Sequence, residues 1–465
     1  MKPRVGLLGL TLELYHDASP EMIPGLEAFS CEVRDTLSAF ADVVHAPVTW
    51  NREGVDEAVA RFEAEGVHLI VIVLLSYSQS LASLPALLRT KVPILIWNTQ
   101  KLHTVGPDFG PEDMMYNHGM HGVQDVCNVL LRHGRAFRLV TGHYTSAETL
   151  ARIEAEVRAA GAVARLRGAR VGILGHTFDG MGDLQVDVSV LLAKTGVEVL
   201  HVSPARLAAL IEAVDEAEVE RVMDRDREEF SIDADVTDVD RWVSVRLELG
   251  VRALIAEQKL SAFCALFTAA TDHPGIRTQP FLAISKLLAE GFGYGGEGDP
   301  TSATAVMLMQ GLTPDTSFVE MFTIDFGGDD VFMDHMAETN HRLARPDLPP
   351  RLIRKDEAWL PGEPSVCVFA VLRPGPVTLL NLVGAAGGKL KMIVALADVE
   401  DWGPAKGILS PHFKMKPRCA AGVCEFLTRY SLEGGSHHLA LGYGDHREAL
   451  RAAAAMMDIE LVEVW

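Results

Sequence analysis

The stretch Gly293-Tyr294-Gly295-Gly296-Glu297-Gly298-Asp299 holds a carboxylate in a run of glycines. Glycine backbone takes positive φ and lets a ligand come close, which an ordinary surface turn does not ask of its acidic residue. Glu297 is therefore a candidate for chemistry. Downstream, Glu320 opens Glu320-Met321-Phe322-Thr323-Ile324-Asp325-Phe326, which reads as a strand. After the turn Gly327-Gly328-Asp329-Asp330, a second apolar run leads to His335. Far along the chain lies another glycine-flanked cluster, Gly434-Gly435-Ser436-His437-His438. Taken alone, a glutamate such as Glu320 reads better as a surface carboxylate, the glycine setting sets Glu297 apart, and His335, His437 and His438 read equally well as solvated side chains or polar turns. Together, two carboxylates and two imidazoles make a set that can bind a divalent ion and leave two octahedral positions for a chelating diol or hydroxy-carbonyl.

Asn117-His118-Gly119-Met120-His121-Gly122 stands before a helix that runs to His133. Its histidines, three apart, can share a helix face, but no carboxylate or cysteine nearby completes a metal site. The letters Gly293-x-Gly295-x-x-Gly298 match a dinucleotide fingerprint, with Glu320 at about the right distance. That fingerprint needs a strand before it, whereas a helix over Phe281 to Glu290 is expected here, so a nucleotide cofactor is set aside.

The elements that must position these residues read as two α/β domains and a β domain. Arg4-Val5-Gly6-Leu7-Leu8-Gly9, Val67 to Leu75, Val92 to Trp97 and Phe137 to Thr141 are aliphatic runs separated by helical segments, as strands buried on both faces of a parallel sheet are. Thr145 with Glu148 forms a capping box for a helix expected to reach about Ala160. At Arg170-Val171-Gly172-Ile173-Leu174-Gly175 the opening strand is echoed, which predicts a second doubly wound domain with strands at Val197 to Val202 and Ala262 to Phe267. After Gly311 the period shortens to two, giving a mainly antiparallel domain. The expected domains are 1–168, 169–311 and 312–465.

A formal net charge of −21 over 465 residues argues against nucleic acid and anionic membrane surfaces as partners. No apolar run is long enough to span a bilayer and the chain enters a strand at once, so a cytoplasmic protein is expected. Six cysteines without CxxC spacing lie mostly in apolar runs, as buried free thiols do.

The chain resembles the L-arabinose isomerase and L-fucose isomerase group of ketol isomerases, and within it the arabinose isomerases. Gln279 to Asp299 is similar to the block that supplies the family's first metal glutamate, here Glu297. Glu320 before Phe-Thr-Ile-Asp-Phe matches the second, His335 in Asp-His-Met the histidine that follows, and His438 of Gly-Gly-Ser-His-His the fourth ligand. The resemblance implies Mn2+ as the bound ion, with Co2+, Fe2+ or Mg2+ as alternatives. It implies that an aldose and its ketose are interconverted through an ene-diol chelated by that ion, with Glu297 and Glu320 also catalytic. Substrate contacts are implied at His121 and its neighbour His118, at Met181, at His437, and at Leu14 and Tyr15. A homo-oligomer, a hexamer or related assembly, is implied, with the pocket shared between subunits. The chain departs from the family at Leu12, where a sugar-contacting glutamine is usual, and at Pro300 and Thr301, where tryptophan and lysine commonly follow Gly-Glu-Gly-Asp. Those departures leave open a non-catalytic sugar-binding homologue, or an epimerase or hydrolase using the same four ligands.

Overall fold

The computed structural model describes residues 2–465. They form two compact units, Met1–Ala164 with Glu448–Met456, and Arg165–Arg447 with Met457–Trp465.

In the first unit five parallel strands lie in the order Asp42–His45, Arg4–Leu10, Leu69–Leu74, Ile94–Asn98, Arg138–Thr141. Leu69–Leu74 is buried at all six positions, because helices cover both faces of the sheet. The strand order reverses between Arg4–Leu10 and Leu69–Leu74, and a doubly wound sheet opens its crevice at the carboxyl ends of such a pair. One boundary is corrected: Ser146, not Thr145, caps the long helix, its hydroxyl accepting from Thr149 N–H at 3.4 Å. That helix, Ala147–Leu166, continues past the expected end through Gly161, which packs closely on Pro3, and ends before the left-handed Gly168.

The second unit repeats the plan with Gly293–Gly296, Ala262–Ala265, Arg170–Leu174 and Glu198–Val202, all parallel. The helix Phe281–Ala289 is locked by Lys286, whose ammonium meets Asp226 at 2.6 Å and Glu248 at 2.7 Å. All three groups are almost wholly buried, so removing Lys286 leaves Asp226 as a buried charge without its partner, a loss of about 3–5 kcal/mol. Three residues separate the locked helix from Gly293–Gly296, a stretch to which the sequence assigned no element: it is an edge strand. The strand that the fingerprint demands is thus present, but Gly293 and Gly295 lie within it and only Gly298 lies in the turn that follows.

The same unit carries the antiparallel domain. Gly375–Ala385, His438–Tyr443, Thr316–Asp325, Asp330–Asp334, His412–Pro417 and Lys389–Val399 pair in that order, and the last pairs again with the first, closing a barrel. Glu460–Glu463 adds to it in parallel. A small sheet, Ser365–Phe369, Arg351–Lys355 and Ser231–Ile232, joins segments from either side of residue 311. Glu320 does not open its strand, which begins at Thr316. Thr316 and Ser317 look like turn residues, yet both are buried, their hydroxyls bonded to the carbonyls of Thr313 and Phe318. Among the described residues, no helix is long and apolar enough to cross a membrane.

Candidate metal centre

Glu297 stands where the edge strand turns into the helix Pro300–Leu312. Its φ is 54° and that of Gly298 is 75°, a left-handed pair that brings the backbone against a neighbouring loop. A Cβ on Gly298 would lie 2.2 Å from the His176 carbonyl, so glycine is required there on both counts. Asp299 then caps the helix, one carboxylate oxygen accepting from Thr301 N–H at 2.9 Å and Ser302 N–H at 3.0 Å.

The barrel supplies the rest through its register. Glu320 lies directly across from His438 on one neighbouring strand and from Asp334 on the other, and His335 follows Asp334. His438 is fully buried, and its own carbonyl is held by Asn381 Nδ2 at 2.7 Å. Asn381 also receives Ser436 N–H at 3.1 Å, which fixes the turn ahead of the two histidines.

Both candidate imidazoles are oriented by buried carboxylates. His438 Nδ1 lies 3.2 Å from the second oxygen of Asp299, and His335 Nδ1 lies 2.6 Å from Glu338. Glu338 in turn accepts the Tyr294 hydroxyl at 2.6 Å. Burial works against the charge on Asp299, but hydrogen bonds from His438, Ser302 and Thr301 hold its carboxyl below the usual range. An ionised carboxylate accepts, so each Nδ1 donates, and each Nε2 is the nitrogen that would offer its lone pair to an ion once it carries no proton. His438 Nε2 has no hydrogen-bond partner, and neither does the nearest oxygen of Glu297, 3.8 Å away.

Two triads result, Glu297 with His437 and His438, and Glu320 with His335 and His438; within each, the donor atoms lie within 4.8 Å of one another. All four residues expected as ligands therefore converge, joined through His438. His437, expected as a substrate contact, lies 3.8 Å from Glu297 and 4.0 Å from Glu320, with Nδ1 bonded to Asp183 at 2.7 Å. The region demands positive charge. Burial disfavours a charged His335, yet Glu338, Glu320 and Glu297 outweigh it and push its pKa to about 9. Glu297 and then Asp183 raise His437 to about 9 against the effect of burial. Burial pushes the Glu320 carboxyl up, the three histidines only partly offsetting it. Oxygen and nitrogen donors of this kind, orphaned in a buried acidic cluster, fit a divalent ion such as Mn2+, Co2+, Fe2+ or Mg2+.

Met181 lies in the loop after Arg170–Leu174, and this loop is tied to the Glu297 turn. Phe178 N–H donates to the Glu297 carbonyl at 3.0 Å and the Thr177 hydroxyl to the Gly298 carbonyl at 2.8 Å. The remaining expected substrate contacts belong to the first unit, around its strand-order reversal. His118 Nδ1–H donates to the Met115 carbonyl at 3.0 Å, so its Nε2 accepts the Tyr15 hydroxyl, also at 3.0 Å. His121 packs edge-on to His118 at 5.7 Å, Leu14 is exposed, and Leu12 is buried. Sequence reasoning gave no role to Asp299, Glu338, Tyr294, Asp183 or Asn381. Asp-Pro at a helix start and a glutamate three residues after His335 were the available signals for the first two.

The sequence profile of the L-arabinose isomerase central domain matches residues 185–315, and that of the L-arabinose isomerase C-terminal domain matches residues 315–460. The L-arabinose isomerase of Acidothermus cellulolyticus is 27% identical, covering 90% of this chain and 85% of its own. That of a Nocardioides species is 26% identical over 97% of this chain and 91% of its own, and that of Geobacillus kaustophilus 26% identical over 93% and 88%.

Proposed function

The chain belongs to the L-arabinose isomerase family and is an aldose–ketose isomerase, and we propose that it works with a divalent ion held by Glu297, Glu320, His335 and His438. The observation that carries this reading is the pair of buried carboxylates, Asp299 and Glu338, that turn both histidines so that Nε2 faces the glutamates. Mn2+ is the proposed ion. When bound, it would stabilise the negative charge that develops on the substrate oxygens at C1 and C2.

The chain's own residues carry the protons. Isomerisation moves one proton from C2 to C1 and one from O2 to O1, with the carbonyl passing from C1 to C2. Glu297 and Glu320 are the proposed pair: a carboxylate takes the C2 proton, the electron pair left behind forms the C1–C2 double bond of an ene-diol, and a carboxyl returns a proton to C1. His437, between the two glutamates, orients the substrate hydroxyls. Asp183, bonded to the far side of its ring, fixes that orientation. Met181 is a proposed pocket contact. The cluster of Leu14, Tyr15, His118 and His121 is proposed to serve a pocket shared between subunits of a homo-oligomer. The domain limits 1–168, 169–311 and 312–465 and a cytoplasmic setting are part of the same reading.

Conversion in heavy water tests the proton route. A carboxyl that exchanges with solvent between the two transfers leaves deuterium at C1 of the ketose. Ketose free of deuterium at C1, with none at C2 of the recovered aldose, would count against the ene-diol and favour a hydride shift.

A further inference from the structure

The cavity beside the candidate centre, about 250 Å³, is chemically lopsided. Glu297, Glu320 and His335 stand at one end, and Phe267, Phe281, Phe322, Met336, Trp359 and Leu360 make up most of the remaining wall. Among the described residues that line it there is no lysine, arginine, serine, threonine or asparagine. The Tyr294 hydroxyl and Glu338 are already bonded to each other. Gln279 has both hydrogen-bond donations of its Nε2 committed, to the carbonyls of Phe267 at 3.0 Å and Pro361 at 2.9 Å. Its Oε1 is buried without a hydrogen-bond partner and has no exposed surface to offer a ligand.

This apolar wall is built rather than incidental. The register of Thr316–Asp325 against Asp330–Asp334 slips between Met321 and Thr323, which makes Phe322 the extra residue of a β-bulge. Bulges re-aim side chains beside active sites, and here Phe322 lines the cavity two residues after Glu320 while remaining 48% exposed. Trp359, also 48% exposed, meets the edge of Phe267 at 5.8 Å and 87°. Its loop is fastened by the Gln279 bond to Pro361, by the paired bonds of Arg277 to Glu363 at 2.8 and 2.7 Å, and by Gly362, whose φ of 100° lets the backbone pack on the Arg277 carbonyl. Two large half-exposed aromatic side chains held at the mouth of a cavity imply that something apolar covers them.

Resting on the isomerase reading, we propose that the substrate is an aldose whose end remote from the carbonyl is deoxygenated, a terminal-deoxy sugar such as a 6-deoxyhexose. The carbonyl edge goes to the glutamates, and the terminal methyl packs on Phe322 and Trp359. A terminal hydroxyl in the same place would lose its water and find no partner on this wall.

The test is the ratio of kcat/KM within pairs of aldoses that differ only in the terminal hydroxyl: L-rhamnose with L-mannose, L-fucose with L-galactose, and 5-deoxy-L-arabinose with L-arabinose. The deoxy member of the accepted configuration is favoured by about 10- to 100-fold, the range a hydrophobic pocket achieves for a single group. Phe322→Ser and Trp359→Gln bring that ratio towards one. Turnover with the hydroxylated member equal or better in every pair overturns the inference and leaves the isomerase reading intact. Should no aldose turn over, the isomerase reading fails, and calorimetric binding of the corresponding deoxy and parent alditols decides the pocket question on the same criterion.

Discussion

Glu297→Gln and Glu320→Gln are each expected to leave a folded protein whose turnover falls by about a thousandfold or more, since each removes a proposed proton carrier and a proposed anionic ligand together. Glutamine is the informative replacement. At Glu297 the backbone sits at a φ of 54°, and the amide keeps the size of the side chain and leaves that local strain unchanged. At Glu320 burial already works against the charged carboxyl, and His335 keeps Glu338 as its main counter-charge, so exchanging Glu320 for a neutral group costs the fold little. Thermal unfolding of the ion-free variants should therefore stay close to that of the parent while activity disappears. Full activity in either variant would remove that glutamate from the site.

His438→Gln has the second large effect, a loss of ion affinity of more than about a hundredfold, because His438 belongs to both triads. Asp299→Asn separates ligation from orientation. Asparagine caps a helix nearly as well as aspartate, so the Pro300–Leu312 helix keeps its start while the His438 ring loses its ionised acceptor. Removal of such a partner typically weakens a metal site by about 10- to 100-fold. His437→Gln should leave the affinity within a few-fold of the parent and act on turnover. Titration of chelator-treated protein with Mn2+ in a calorimeter ranks the three variants. An affinity lost on His437→Gln and kept on His438→Gln would reverse the assignment of the adjacent histidines.

Much of the scaffold was legible because its signals are local. The echo of Arg4-Val5-Gly6-Leu7-Leu8-Gly9 in Arg170-Val171-Gly172-Ile173-Leu174-Gly175 marks the first strand of each of two sheets with the same order. Continuous aliphatic runs announced strands covered on both faces. The edge strand Gly293–Gly296 escaped because three of its four residues are glycines with no preference for extended structure; pairing with Ala262–Ala265 imposes it. Barrel closure between Gly375–Ala385 and Lys389–Val399 is likewise a matter of long-range register, as is the parallel pairing of Ser231–Ile232 with Arg351–Lys355.

The candidate site divides the same way. Glu297 drew attention through its glycines, and His437 with His438 through theirs. What distinguishes the two histidines is burial: His438, the first residue of its strand, is fully buried, while His437, just before it, retains 28% side-chain exposure. Asp299 and Glu338 were visible only as acidic residues, since nothing local shows which distant imidazole a carboxylate will hold. Phe322 reads from sequence as one more strand aromatic, and only the slipped register directs it into the cavity.

The central claim is that this protein isomerises an aldose with an ion held by Glu297, Glu320, His335 and His438. The most direct measurement is ketose formation from a panel of pentoses, hexoses and deoxyhexoses by chelator-stripped protein, with and without added Mn2+. The expected result is turnover of at least one aldose that appears only when the ion is restored. Undiminished turnover by the stripped protein, or a protein that binds Mn2+ at this site yet converts no sugar, would contradict it.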